Sequence, residues 1–306
     1  MVNATGKNRR VVSLLQMTAS MIIFGSIGLV VRRIDLPSGM IALVRGLTGT
    51  LFLLLTQLCT GRRPSLSSLR KNAGPLLISG TAIGFNWILL FEAYRYTTIA
   101  TTTVCYYTAP IFVILLSPLV LHERLTSARA LCAAVSLVGM ALVTQVIPNG
   151  FGGDLRGVTL ALSAAVLYAS VMMTNRFLKE ISALDSTVAQ LGIAALVLLP
   201  YICLTGQFPT VFPTAAFWPL LIAGVVHTGI AYLLYFSAMQ GLSAQSIALC
   251  SYIDPITAVL FSTLLLGEPM TALQAAGTLL ILSATLLGQF RKQTKERSIH
   301  EHSENL

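Results

Sequence analysis

The sequence predicts an all-α integral membrane protein, with ten transmembrane helices arranged as two inverted five-helix repeats. Three observations predict it. Only 10% of the 306 residues are charged while 55% are hydrophobic, giving a mean hydropathy of +0.79. Apolar runs long enough to cross a bilayer recur from end to end. The second half of the chain also repeats the register of the first.

Composition excludes most other classes. A soluble domain carries about 25% charged residues, and a disordered chain carries few large apolar ones. The net charge of +9 would suggest nucleic acid in a soluble protein. Here the basic residues are expected on cytoplasmic loops, because they resist translocation; no nucleic-acid partner is predicted. The five cysteines lie in apolar runs without a CxxC pair, so neither a zinc nor a redox site is expected. The start, MVNATGKNRRVV, resembles a signal peptide but lacks an A-x-A cleavage site, so the first apolar run is read as a retained span.

A span needs about 20 apolar residues. Such segments fall at 11–31, 39–58, 74–94, 100–120, 129–147, 155–174, 186–204, 217–238, 244–266 and 271–290. Between them lie polar or Gly/Pro-rich breaks such as GRRPSLSSLRKN, HERLTS, PNGFGGD and GEPMT. This divides the chain into an N-terminal tail (1–10), a first repeat (11–147), a linker (148–153), a second repeat (154–290) and a polar, disordered C-terminal tail (291–306). His300 and His302 lie in that tail and read as solvated. With the N-terminus inside, fifteen Lys and Arg residues fall on cytoplasmic segments and four on outer ones, leaving Arg45 within a span. The bias predicts a multi-pass protein of the bacterial cytoplasmic membrane with both termini in the cytoplasm.

A constant shift of 145 aligns the segment from Gly84 with that from Gly229, without a gap. Gly84 meets Gly229, Cys105 meets Cys250, Tyr107 meets Tyr252, Pro110 meets Pro255, Glu123 meets Glu268 and Thr126 meets Thr271. About 17 of 62 positions are identical. The earlier helices align more weakly at a shift of 144, with Phe24 meeting Tyr168. Each half has five helices, an odd number, so the second enters the membrane from the opposite side. Inverted repeats of this kind suit alternating access in transport.

At these residues the chain resembles the drug/metabolite transporter superfamily, and within it the ten-helix EamA-type branch. The paired signature reads YYTAPIFVILLSPLVLHERLT and then SYIDPITAVLFSTLLLGEPMT. The family usually has Gly-Glu at the turn; Gly267-Glu268 keeps it, and His122-Glu123 departs from it. The resemblance implies that helices one, three, four, six, eight and nine surround a central cavity, with five and ten at the side. It further implies transport, often export, of amino acids, other metabolites or cationic drugs. Pro110, Glu123, Pro255 and Glu268 form the structural motif.

Ionisable groups within a span are costly in lipid and should face protein or water. Asp254 precedes Pro255 in the ninth span; it reads as a cavity group for a cation or proton, or as a polar partner for backbone freed by the proline. His227, mid-way along the eighth, reads as a titrating group or as a hydrogen bond between helices. Glu92 is expected to pair with Arg95. Arg45 is expected to snorkel outward in a structural role, or to bind an anionic group.

The neutral cavity candidates are Phe24, Asn86, Trp87, Tyr106, Tyr107, Tyr168, Asn175, Tyr232, Tyr235 and Tyr252, since aromatic walls with polar tips suit amphipathic solutes. Trp87 matches Tyr232 in the repeat.

The reading is a secondary transporter, with a small organic solute, the bilayer and protons as partners, and with no cofactor and no metal. It is an exporter of amino-acid-like or amphipathic metabolites. A phosphorylated-sugar or nucleotide-sugar antiporter of the same fold is the alternative, and a membrane-embedded enzyme a remote one. No GxxxxGK[ST] loop is present, so drive would come from a gradient. No H-E-x-x-H set is present, so no enzyme activity is expected.

Overall fold

The computed structural model describes residues 2–31, 33–97, 102, 105–122, 126–143, 155–209, 212–266, 271–281, 283, 284 and 287. These fold into helices, and every one of the ten expected spans carries helix. We label them α1 (Val2–Gly25, resuming at Ile27–Val31), α2 (Ser38–Cys59), α3 (Ala73–Tyr96), α4 (Ala109–Val120) and α5 (Ser127–Val143). The second set is α6 (Leu155–Thr174), α7 (Ala183–Thr205), α8 (Phe217–Gly224, then Val225–Ile230 in π-helical register, then Ala231–Met239), α9 (Ala244–Cys250 and Ile253–Leu266) and α10 (Ala272–Ile281).

Six described helices are long and apolar enough to cross a bilayer, namely α1, α2, α3, α6, α7 and α8. The described helices of α4, α5 and α10 are shorter. The breaks expected between spans are capped locally. Ser182 accepts the Asp185 amide at 3.0 Å, which starts α7 three residues before the expected boundary. Gly206, at φ 65°, ends it, since a left-handed cap suits a residue without Cβ. Ser243 caps α9 by accepting the Ser246 amide.

The helices are apolar outside and mixed inside. On α2, Leu47, Leu51, Leu54 and Leu58 form a stripe at helical spacing, and all are exposed. The opposite face buries Ala42, Arg45, Leu53 and Gln57. Water offers no reason for such a stripe, whereas lipid tails do.

Packing follows the repeat. α3 packs on α6 and α7, and the equivalent α8 packs on α1 and α2. α4 packs on α6, and α9 packs on α1. α2 meets α7, and α4 meets α9. Every one of these relations keeps its form when the halves are exchanged, as an internal twofold requires. Matching glycines allow close approaches. A Cβ on Gly84 of α3 would lie 3.0 Å from the Ala194 carbonyl oxygen of α7, and one on Gly229 of α8 would lie 2.7 Å from the Phe52 ring of α2. Small residues permit such contacts between helices that gain no hydrophobic driving force from lipid.

Candidate functional site

The site begins with two broken helices. Proline has no N–H and its ring clashes with the carbonyl four residues back. Pro110 therefore cannot continue a helix through Tyr106, nor Pro255 through Ser251. The chain turns instead at Tyr107-Thr108 and at Ser251-Tyr252, with i−3 bonds from Thr108 to Cys105 (3.2 Å) and from Tyr252 to Leu249 (3.3 Å). Neither α4 nor α9 is thus the continuous span the apolar pattern suggested, and the motif prolines are the reason. Glu123 and Glu268, the other two motif residues, lie outside the described residues.

Asp254 sits in the first turn after the α9 break, where the positive end of a helix favours a carboxylate. It is half-buried, and the Tyr107 side chain of the first repeat lies beside it. Of the two readings of Asp254, the structural one asks for a bond to freed backbone, and none is present among the described residues. Tyr107 and Asp254 bring the first repeat beside the second at the level of both breaks.

Aromatic rings gather around this level. Trp87 meets Tyr232 edge to face at 6.0 Å between centroids, and Tyr232 meets Phe24 at 5.0 Å. Tyr106 stacks on Tyr168 at 5.3 Å and meets Tyr107 at 5.5 Å. Tyr107 lies 6.4 Å from Tyr252. Trp87 and Tyr232 are register equivalents, and so are Tyr107 and Tyr252. Two points exchanged by a twofold have their midpoint on its axis, so both contacts mark where that axis passes. Phe24, Tyr106, Tyr168 and Tyr232 are only partly buried, leaving ring surface for a solute.

The sequence candidates separate into three groups. Phe24, Trp87, Tyr106, Tyr107, Tyr168, Tyr232, Tyr235 and Asp254 come together. Tyr252 touches Tyr107 but packs laterally with Met140 of α5, Ile256 and Ile281 of α10. Asn86 and Asn175 are engaged in scaffolding. Asn86 donates to the Ala164 carbonyl at 2.7 Å and accepts from Tyr106 at 3.4 Å. Asn175 exchanges two amide bonds with Gln190, at 2.9 and 3.1 Å, close to one end of the bundle.

His227 is buried in the π-helical turn of α8. Its Nε2 lies 3.0 Å from Ser26 Oγ on the other repeat, and its Nδ1 lies 3.4 Å from the Ile222 carbonyl. The Ser26 hydroxyl also donates to Ile23 at 2.8 Å, so a neutral ring satisfies two of these three contacts. The geometry is that of an interhelical bridge. Glu92 accepts from the Tyr201 hydroxyl at 2.7 Å; the Arg95 side chain lies outside the described residues.

Arg45 does not snorkel. It is 7% exposed, with its guanidinium 4.8 Å from the Trp87 ring centroid and its Nε donating to Thr228 Oγ1 at 3.1 Å. Thr228 in turn donates to the Ala223 carbonyl, five residues back, at 2.9 Å. The π-helical register thus aims Thr228 at α2. Helix two joins the site through this arginine, beyond the six helices that the resemblance implied.

The end of the bundle carrying Arg62, Arg63, Arg70, Lys71, Arg176 and Lys179, hereafter the basic end, is laced by polar contacts. Gln245 of α9 donates to Ser117 of α4 at 2.7 Å. Arg176 donates to the Met239 and Leu242 carbonyls at 3.1 and 2.7 Å. Gln57 of α2 donates to Asp185 of α7 at 2.6 Å, both being buried. Lys71 pairs with Glu180 at the surface, and that hydrogen bond holds the Glu180 carboxyl below its ordinary range. A shallow hollow at this end is lined by Val120, Leu121, His122, Arg176 and Phe177, remote from the aromatic cluster.

The profile of the EamA-like transporter family matches residues 12–145 and 155–288, once for each repeat. The chain belongs to the EamA-like transporter family. It is 28% identical over 286 residues to the uncharacterized transporter YxxF of Bacillus subtilis (strain 168), covering 92% of this chain and 91% of that one. To protein PecM of Dickeya dadantii (strain 3937) it is 24% identical over 263 residues, covering 79% and 88% of the two chains. A solved structure titled "Crystal structure of protein" has the same fold, with a TM-score of 0.79 at 18% identity over 93% of this chain and 98% of that one. This EamA-like protein is accordingly an integral, multi-pass membrane transporter, and small-molecule solutes are its cargo.

Sequence reasoning missed three polar elements of this transporter. Thr228 carried no signal apart from its neighbour His227. The Gln245–Ser117 bond joins positions 128 residues apart. Asp185 was read as part of a polar break, yet it is buried against α2; its only sequence cue was the Ser182 cap beside it.

Proposed function

We propose that this chain is a secondary transporter exporting small amphipathic, amino-acid-like solutes by alternating access between its two repeats. Both termini lie in the cytoplasm of a bacterial cell whose plasma membrane it spans. The observation that carries this reading is the aromatic cluster at the twofold axis, with Asp254 near it at the α9 break. Rings with free surface accept an apolar body, and a half-buried carboxylate accepts a cationic group. Prolines at both breaks supply hinges in the two helices that cross the axis. A rotation of one repeat against the other would open one end of the bundle as it closes the other.

Asp254 and His227 are the groups we propose for proton exchange during the cycle. Asp254 meets a solute directly, while His227 ties α8 of one repeat to α1 of the other. The phosphorylated-sugar alternative asks for several basic groups at the site. Arg45 is there, but Arg176 is engaged at the basic end and Arg32 lies outside the described residues.

The test is transport by purified protein in proteoliposomes against a panel of amino acids, amines, organic acids and sugar phosphates, with and without a pH gradient. Movement of amino-acid-like or amphipathic solutes is expected. Movement of sugar phosphates alone would replace this reading with the antiporter one, and a folded preparation that moves nothing would refute both. Cysteine labelling of the two tails from the cytoplasmic side checks the orientation.

A further inference from the structure

The cluster contains a second charge whose purpose the fold does not account for. Arg45 is buried in the bundle, yet no carboxylate pairs with it among the described residues. Its Nε is satisfied by Thr228, and one face of the guanidinium rests on Trp87. A cation–π contact and one hydroxyl offset only part of the cost of withdrawing a guanidinium from water. The remaining N–H groups of the fork suit a planar, doubly accepting anion.

Asp254 does not supply that anion. Among the described residues no ion pair joins it to Arg45, whose Nε is held by Thr228. They flank the same rings instead, since Tyr106 and Tyr232 each lie within electrostatic reach of both Arg45 and Asp254. Two opposite charges held apart in one low-dielectric, aromatic-lined region are individually expensive. A solute carrying the complementary pair would settle both at once.

The geometry points to Arg45 as the residue that recognises a carboxylate on the transported solute, with the solute's apolar body against Trp87 and Tyr232. This rests on the transport reading above and sharpens it: recognition requires an anionic end, and the cationic end faces Asp254. A helix-packing arginine would serve equally well whatever the solute's charge. A recognition arginine discriminates.

Binding distinguishes the two. The probes are L-phenylalanine, 3-phenylpropionate, phenethylamine and phenyl phosphate, which share a ring and differ in charge. Each is titrated against the full chain in lipid nanodiscs carrying Trp218→Phe, so that Trp87 is the one remaining tryptophan and reports by its fluorescence. Wild-type Arg45 is expected to bind L-phenylalanine more tightly than phenethylamine. Arg45→Gln should weaken L-phenylalanine and 3-phenylpropionate tenfold or more and leave phenethylamine within twofold, which also shows that the variant is folded. Arg45→Lys should recover part of the loss, because it keeps the charge and loses the fork.

Equal weakening of all probes by Arg45→Gln would make the arginine a packing residue and overturn the proposal. So would phenyl phosphate binding tenfold more tightly than 3-phenylpropionate, which would assign the anion to phosphate. Absence of binding by every probe would overturn it as well. Transport in proteoliposomes is judged separately, and solute movement indifferent to Arg45→Gln would leave the transporter standing and the arginine's assignment lost.

Discussion

Trp87 and Tyr232 hold the same register in the two repeats, and their rings meet edge to face 6.0 Å apart. One aromatic wall is thus built jointly by both halves. Such ring pairs contribute about 0.5–1.5 kcal/mol beyond the area they bury. A double-mutant cycle with Trp87→Leu and Tyr232→Leu, read by unfolding in detergent, is expected to give a coupling of that order. Strict additivity would mean that the rings do not depend on each other.

Asp254 and Tyr107 lie beside each other across the axis. Asp254→Asn is expected to lower transport of cationic and zwitterionic solutes at least tenfold while the protein still elutes as a folded species. Tyr107→Phe should have a smaller effect in the same assay, since the carboxylate remains. Undiminished transport by Asp254→Asn would remove it from the site.

At the basic end, Gln245 and Ser117 tie α9 to α4. The register partners of these residues are Ala100 and Ser262. A bond worth about 0.5–1.5 kcal/mol corresponds to roughly a two- to tenfold bias in population. Gln245→Ala is expected to raise the labelling rate of a cysteine placed at Val120, in a background lacking the native cysteines, by about that factor.

Gly84 and Gly229 should differ although they match in register. A methyl on Gly229 meets the Phe52 ring, which can rotate, whereas one on Gly84 meets the Ala194 backbone oxygen, which moves only with α7. Overpacking costs about 1–3 kcal/mol. Thermal unfolding is expected to place Gly84→Ala at the upper end of that range and Gly229→Ala at the lower. The reverse order would mean that α7 yields more readily than a ring.

The Lys71–Glu180 pair should show how little a surface ion pair contributes. Its partner holds the Glu180 carboxyl below the ordinary value, so the stabilisation is present above that ordinary value and fades as pH falls through the lowered one. Both side chains are exposed, and solvent screens them. Glu180→Gln is accordingly expected to follow the wild-type melting curve at every pH from about 4 to 8. A loss confined to neutral pH would reveal a stronger coupling of the two loops.

How far the site was readable depends on the kind of signal each residue carries. Trp87 and Tyr232 were legible because a repeat places equivalents at a constant shift, and Pro110 and Pro255 because a missing N–H is a property of the residue itself. Arg45 was ambiguous: an arginine seven residues into a helix can reach either outward or inward, and that choice belongs to the helix's rotation against its neighbours. His227 was likewise a titratable group in sequence, and only Ser26, 201 residues away, turned it into a bridge.

By itself, then, the sequence determined that this chain lives in a bilayer, that its helices repeat, and that its charges are few. Those properties follow from local composition and spacing. The tertiary structure decided which rings share surface, that Tyr107 lies beside Asp254, that Arg45 faces Trp87, and that Asp185 is buried. Each of these joins residues far apart in the chain, and no pattern along one strand of sequence encodes the rotation and depth at which two helices meet.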